Sequence, residues 1–215
     1  MENLITFAIS AFVTYTTVID PVGLAPVVIG LTSHLNQAQR NIVITRAIVI
    51  SAIIIAFFAL VGRFLLDSLG IKLYAFDIAG GALLFLVSVD MLFGRQSGTR
   101  ETKVEQEEAL TREDISVFPL AIPMIAGPGT IATTILYIDT VTPRPFELLA
   151  VTIVIIVTLL LAWIIMRGSM WIVEHIGRTG IMVLSRLLGI ILAALAIQFI
   201  INGITLYIQS SGLIK

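Results

Sequence analysis

Six apolar stretches, each long enough to cross a bilayer, constrain this chain more than any other feature. They cover residues 4–31, 42–66, 73–93, 115–138, 148–166 and 187–208. A membrane helix needs about 20 mostly apolar residues to pass through roughly 30 Å of hydrocarbon. Lipid offers backbone amides no solvent, so only helices and closed barrels can span it, and continuous runs rather than short alternating ones select helices. Composition agrees: the chain is 58% hydrophobic and 13% charged, whereas soluble domains hold about 45–50% and about 25%. There is no cysteine, which removes disulfides, thiolate metal sites and cysteine nucleophiles. The two histidines, His34 and His175, sit in polar stretches and make no metal site. Met1-Glu2-Asn3 lacks the basic start of a cleavable leader, and the 28-residue first run is too long for one. The first run is therefore expected to stay in the membrane.

Lysine and arginine counts give the expected orientation. Arg40, Arg46, Arg95, Arg100, Lys103, Arg112, Arg167, Arg178 and Arg186 fall on one face, and Arg63, Lys72, Arg144 and Lys215 on the other. The positive-inside rule then puts both termini outside and the connection 94–114 in the cytoplasm. Residues 95–114 hold ten charges of mixed sign, the composition of a solvated linker between halves at 1–94 and 115–215. Arg46 and Arg63 lie near the ends of the second run, where long side chains reach the headgroups. Internal repetition supports the division. Ile9-Ser10-Ala11-Phe12 returns as Ile115-Ser116-Val117-Phe118, and at that offset Gly23 falls on Gly129. A second offset brings Gly80 onto Gly189 and Gly94 onto Gly203. Three runs per half is an odd number, so the second half enters from the opposite side. The expected fold is all-α, six transmembrane helices forming two inverted three-helix repeats.

Runs one and four are interrupted alike. The first contains Asp20-Pro21-Val22-Gly23 and the fourth Gly127-Pro128-Gly129-Thr130. Proline lacks the amide proton and glycine is a weak helix former, so both helices are expected to open near mid-membrane. Asp20 also reads as an N-cap with Pro21 at the first helical position, and Pro128 likewise sits in a first turn. An opened helix presents amide donors, favouring an anion, at the start of its second half, and bare carbonyls, suited to a cation, at the end of its first. Matched breaks meeting in one chamber suit a zwitterion. Hydroxyls of Thr16, Thr17, Thr130, Thr133 and Thr134 lie within about a turn of the breaks. A proline in a membrane helix is most often a plain kink, but two breaks in matching positions mark a transporter site. Asp20 is the one acid in the middle of an uncharged run, and charge at that depth is costly enough to suggest function. Asp77 and Asp90, at opposite ends of the third run, read as interfacial. Gln198 and Asn202, one turn apart, read first as interhelical hydrogen bonders and second as lining a solute path. Enzyme chemistry finds no support: there is no nucleophile–base pair and no pair of mid-span acids, and Gly127-Pro128-Gly129-Thr130 lacks the lysine of a phosphate loop.

With these words the chain resembles the MarC family of membrane proteins. The resemblance rests on Asp20-Pro21-Val22-Gly23-Leu24-Ala25-Pro26 and on Pro119 through Thr130. Gly80-Gly81-Ala82-Leu83-Leu84-Phe85-Leu86, Asp90-Met91-Leu92-Phe93-Gly94 and Arg186-Leu187-Leu188-Gly189 support it. It covers essentially the whole chain and departs at Leu24, where many members carry asparagine. The resemblance implies a secondary transporter of small neutral amino acids, glycine or alanine, in a prokaryotic cytoplasmic membrane. The expected coupling ion is a proton or sodium. The site expected on that reading is Thr17, Asp20, Gly23, Gly127, Gly129 and Thr130. Amides near Gly23, Gly129 and Thr130 would hold the carboxylate, and Asp20 and the Thr17 hydroxyl would face the ammonium. Asp20 and then Asp90 are the coupling candidates. Lipid is the surroundings, a homo-oligomer is compatible with the pattern, and no cofactor, metal or nucleic acid is expected. A channel, an exporter of another metabolite and a non-transporting scaffold are the rival readings.

Overall fold

The structure, a computed structural model, describes residues 4–32, 34–93, 115–141 and 144–211. The charged linker 95–114 expected between the halves lies outside them, as does Gly94. Every element among the described residues is helical. In chain order they are α1 (Leu4–Ile19), α2 (Pro21–Leu31), α3 (Gln37–Ser68), α4 (Leu73–Phe93), α5 (Ser116–Ile125), α6 (Pro128–Val141), α7 (Pro145–Arg167) and α8 (Ser169–Ser211). Among the described residues five runs are long and apolar enough to cross a membrane, and there are six if α5 and α6, bent by 54°, count as one.

Local chemistry explains most boundaries. Asn36 caps α3: its side chain accepts from the Gln39 amide while Gln39 accepts from the Asn36 amide, each at 3.0 Å. This reciprocal pairing satisfies two donors that a helix start otherwise leaves bare. Gly70, at φ 69°, turns the chain between α3 and α4 in the left-handed region where a side chain is disfavoured. Pro145 opens α7 at its first position. The stretch between runs five and six, expected as a polar connection, is instead helical. α8 starts at Ser169 and is broken only at Gly177, whose φ is 72°.

Two packing relations organise the molecule. α4 and α8 lie against each other along their length and nearly touch at glycines. A Cβ on Gly81 would stand 2.7 Å from the Ala196 carbonyl, and one on Gly203 2.7 Å from the Tyr74 carbonyl. Close approach through small residues is how helices associate where lipid removes the hydrophobic drive. The second relation is an exchange: α3 packs on both α5 and α6, while α7 packs on both α1 and α2. Ile19, Leu24, Val28, Ile44, Leu120, Ile125, Leu159 and Met166 form the largest buried cluster between them. The α1–α2 run is the most enclosed, 56% of its apolar window buried against 22–33% for the other four unbent runs. The outer helices turn large apolar side chains outward, such as Leu60, Phe64 and Ile53, as a lipid-facing surface requires. On the face opposite the N-terminus, Trp163 donates to Thr45 at 3.0 Å across α7 and α3, and Arg167 lies 4.6 Å over its ring. Trp171 stacks on His175 nearby in sequence, centroids 4.4 Å apart.

Candidate functional site

The first interruption is one residue wide. Asp20 adopts φ 48°, ψ 62°, and its carboxylate accepts the Gly23 amide at 3.0 Å. Asp and Asn tolerate the left-handed region better than other side chains. Pro21 then starts α2 at a position where a missing amide proton costs nothing. Backbone bonding continues on both sides, from the Asp20 amide to the Thr16 carbonyl (2.9 Å) and from Leu24 to the Asp20 carbonyl (3.0 Å). Asp20 is 2% exposed. Gly23 has no room for a side chain, since a Cβ there would strike the Asp20 carboxylate and stand 2.8 Å from Ser185 Oγ. The first helix start is thus capped by its own carboxylate.

The second interruption is wider. Pro119 and Pro123 deprive α5 of two donors, and the residues before them, Phe118 and Ile122, are extended at φ −129° and −126°, as a following proline demands. The remaining bonds reach five residues back, from Leu120 to the Ile115 carbonyl (3.4 Å) and from Ala126 to the Ala121 carbonyl (2.9 Å). Ordinary winding resumes with Ile131 donating to the Gly127 carbonyl at 3.0 Å. Gly129 and Thr130 therefore occupy the first turn of α6, where amides have no intrahelical acceptor. The Thr130 hydroxyl reaches back across the break to the Ile125 carbonyl at 2.8 Å. Gly127 must be glycine because a Cβ would run into the Pro123 carbonyl. A cavity of about 190 Å³ opens here, lined by Gly127, Pro128, Gly129 and Thr130 and by Val18, Leu83 and Val87.

The structure thus brings Gly127, Gly129 and Thr130 to one cavity. Thr17, Asp20 and Gly23 are not in its lining, although Val18 of the same run is. Thr17 is buried and donates to the Val13 carbonyl at 2.7 Å. Asp90 is half-buried, one turn beyond Val87 toward the face opposite the N-terminus. Asp77, one turn from the start of α4, is buried among its neighbouring helices. Its Cβ lies beside Gly203, inside the α4–α8 contact. Gln198 donates to Asn202 at 2.9 Å within α8, and both line a separate cavity.

Sequence reasoning missed three further contacts. Arg63, read as snorkelling, pairs with Asp139 of α6 at 2.6 Å. Hydropathy places both residues near one face, which alone does not pair them. Arg40, counted only as a cytoplasmic charge, is buried and donates from Nε to the Thr32 hydroxyl at 2.9 Å, a cation at the carboxyl end of α2 where the helix dipole favours one. Tyr15 donates to Thr134 at 3.2 Å between the two interrupted runs.

Comparison with known proteins agrees with a membrane-spanning chain. The family described as "MarC family integral membrane protein" matches residues 5–208. A UPF0056 membrane protein of the archaeon Pyrococcus abyssi is 38% identical over 95% of this chain and 96% of its own length. The UPF0056 membrane protein YhcE of Escherichia coli K12 is 35% identical over 90% of this chain and 89% of its own. No solved structure matches the chain.

Proposed function

We propose, from the premise that this chain belongs to the MarC family of integral membrane proteins, that it is a secondary transporter of small neutral amino acids working by alternating access. The observation that carries the reading is the cavity at the α5–α6 break, whose lining includes Gly129 and Thr130 of the first turn of α6. A carboxylate there meets the amino end of α6. The register of the interruptions supports an inverted repeat. The offset that carries Ile9 to Ile115 carries Asp20 to Ala126, so both runs break at one position of the repeat. The exchange of partners, α3 with α5 and α6, α7 with α1 and α2, is what a two-fold axis in the membrane plane produces.

The two breaks differ in one respect that assigns roles. At the first, the Asp20 carboxylate already accepts the Gly23 amide. At the second, the matching residue is Ala126, which brings no carboxylate. Substrate carboxylate therefore belongs at Gly129 and Thr130, with Gly127 shaping the approach. Asp20, with Thr17 beside it, serves the ammonium or the coupling proton or sodium ion. Asp90 is the second coupling candidate, one turn from the cavity wall. The membrane is the cytoplasmic membrane of a prokaryote, with both termini outside.

The test is counterflow in proteoliposomes. Vesicles loaded with unlabelled glycine or alanine are expected to accumulate the labelled amino acid, and Asp20→Asn to abolish gradient-driven uptake. Absence of exchange with folded wild-type protein would end the substrate assignment. Full gradient-driven uptake by Asp20→Asn would remove Asp20 from coupling.

A further inference from the structure

A second cavity, of about 290 Å³, lies between α1, α6 and α8 on the side carrying the N-terminus. Its polar lining is unusual for so apolar a chain: Ser10, Tyr137, Thr140, Gln198 and Asn202 all face it. No charged side chain is among them. Gln198 and Asn202 are exposed in the isolated chain. Two side-chain amides turned to hydrocarbon would be costly, so they require water or a protein partner.

This cavity and the one at the break are stacked along the same two helices. On α1 the outer cavity touches Phe7 and Ser10 and the inner one Val18. On α6 the outer touches Leu136, Tyr137 and Thr140 and the inner Gly129 and Thr130. The partition is therefore about 9–12 Å thick at 1.5 Å per helical residue. It is held by hydrogen bonds rather than by apolar contact alone. Tyr15, fully buried, donates to Thr134 at 3.2 Å, and the hydroxyls of Thr14 and Tyr137 share a bond of 3.1 Å. The Tyr137 ring lies 5.8 Å from that of Tyr15 and 6.4 Å from that of Phe199. Within the same layer the hydroxyls of Thr16 and Thr133 are buried and have no partner among the described residues. Unsatisfied buried hydroxyls are uncommon and costly. Two of them in one partition are groups that an open state would wet.

We infer that the outer cavity is an aqueous vestibule that holds small uncharged-headed or zwitterionic solutes by its amides and hydroxyls, and that the Tyr15–Thr134 and Thr14–Tyr137 layer is the gate between it and the break cavity. This rests on the transport reading, but it can be tested without it. The chain has no cysteine, so single thiols report alone. Ser10→Cys and Asn202→Cys, in the full chain in proteoliposomes, react with a membrane-impermeant maleimide. Thr133→Cys reacts slowly. In a Tyr15→Phe background, which keeps the ring and removes only the hydrogen bond, its rate rises about fivefold, the equilibrium equivalent of one net hydrogen bond. Tyr15→Phe removes a single oxygen from the layer and adds no bulk, and size-exclusion profiles check that each variant is folded. Inert thiols at both Ser10 and Asn202 overturn the vestibule. Oxidative cross-linking of Asn202→Cys chains to one another, with loss of labelling, overturns it in favour of an interface between copies. An unchanged Thr133→Cys rate overturns the gate. Failure of the transport reading appears separately, as no glycine or alanine exchange by the cysteine-free parent.

Discussion

Asp20 has two properties that one substitution separates. It caps α2 from a left-handed backbone conformation, and it is an ionisable group in mid-run. Asparagine caps equally well and tolerates the same φ. Asp20→Asn is therefore expected to keep the stability of the parent in detergent to within about 0.5 kcal/mol in thermal unfolding, while losing gradient-driven uptake. Asp20→Val, which neither caps nor accepts positive φ, is expected to destabilise by about 1–3 kcal/mol. Arg63 offers the opposite case. Its bond to Asp139 joins α3 to α6, and the Asp139 side chain is only 11% exposed. Arg63→Ala leaves that carboxylate without its cation, with an expected loss of about 1–3 kcal/mol in thermal unfolding. Arg63→Gln combined with Asp139→Asn should recover most of it. The cap could be read from the sequence because its donor is three residues away. The ion pair could not, since hydropathy places both residues near one face but gives no azimuth around either helix.

Between elements, the glycines sort by what surrounds them. In Gly203→Ala the new methyl meets the Tyr74 carbonyl and forces α4 away from α8. A loss of about 1–3 kcal/mol is expected. Gly30→Ala, also helical but with nothing within 4 Å, should gain up to about 1 kcal/mol. Thermal unfolding of both variants beside the parent checks the contrast. The repeat words had linked Gly80 with Gly189. Both do sit at helix contacts, Gly80 against Ala132 of α6 and Gly189 against Met91 of α4. The bounds of α4 coincide with the apolar run 73–93 because charged or turn-forming residues flank it. The start of α8 was missed for a physical reason: hydropathy detects lipid contact, not helicity. Residues 169–186 carry Glu174, His175, Arg178 and Arg186 yet wind as helix on both sides of Gly177. The irregular winding of α5 was also hidden. Two prolines four residues apart announce lost donors, but not the longer bonds that replace them.

Across the whole molecule, the helical nature of the runs follows from apolar length, which yields five unbent spans among the described residues and a sixth if the bent α5–α6 pair counts as one, and family membership follows from words spread over the full chain. The arrangement of those runs depends on side-chain shape over long sequence separations. Nothing in the spacing of Thr14, Tyr15, Thr134 and Tyr137 announces that they meet, and so the partition between the cavities had no sequence signature. The site was only half legible for the same reason. Glycine and proline mark where a helix opens, whereas which opening leaves its amides free depends on a carboxylate present at one and absent at the other. The positions of the aromatic residues have an optical consequence. Both tryptophans lie toward the face opposite the N-terminus, Trp163 tied to Thr45 across α3 and α7. In a Trp171→Phe variant the intrinsic emission comes from one indole alone. Breaking its bond to Thr45 moves it to a different environment and shifts its spectrum. A rearrangement that parts α3 from α7 is therefore visible in the unmodified light of the protein, while opening confined to the tyrosine layer is dark.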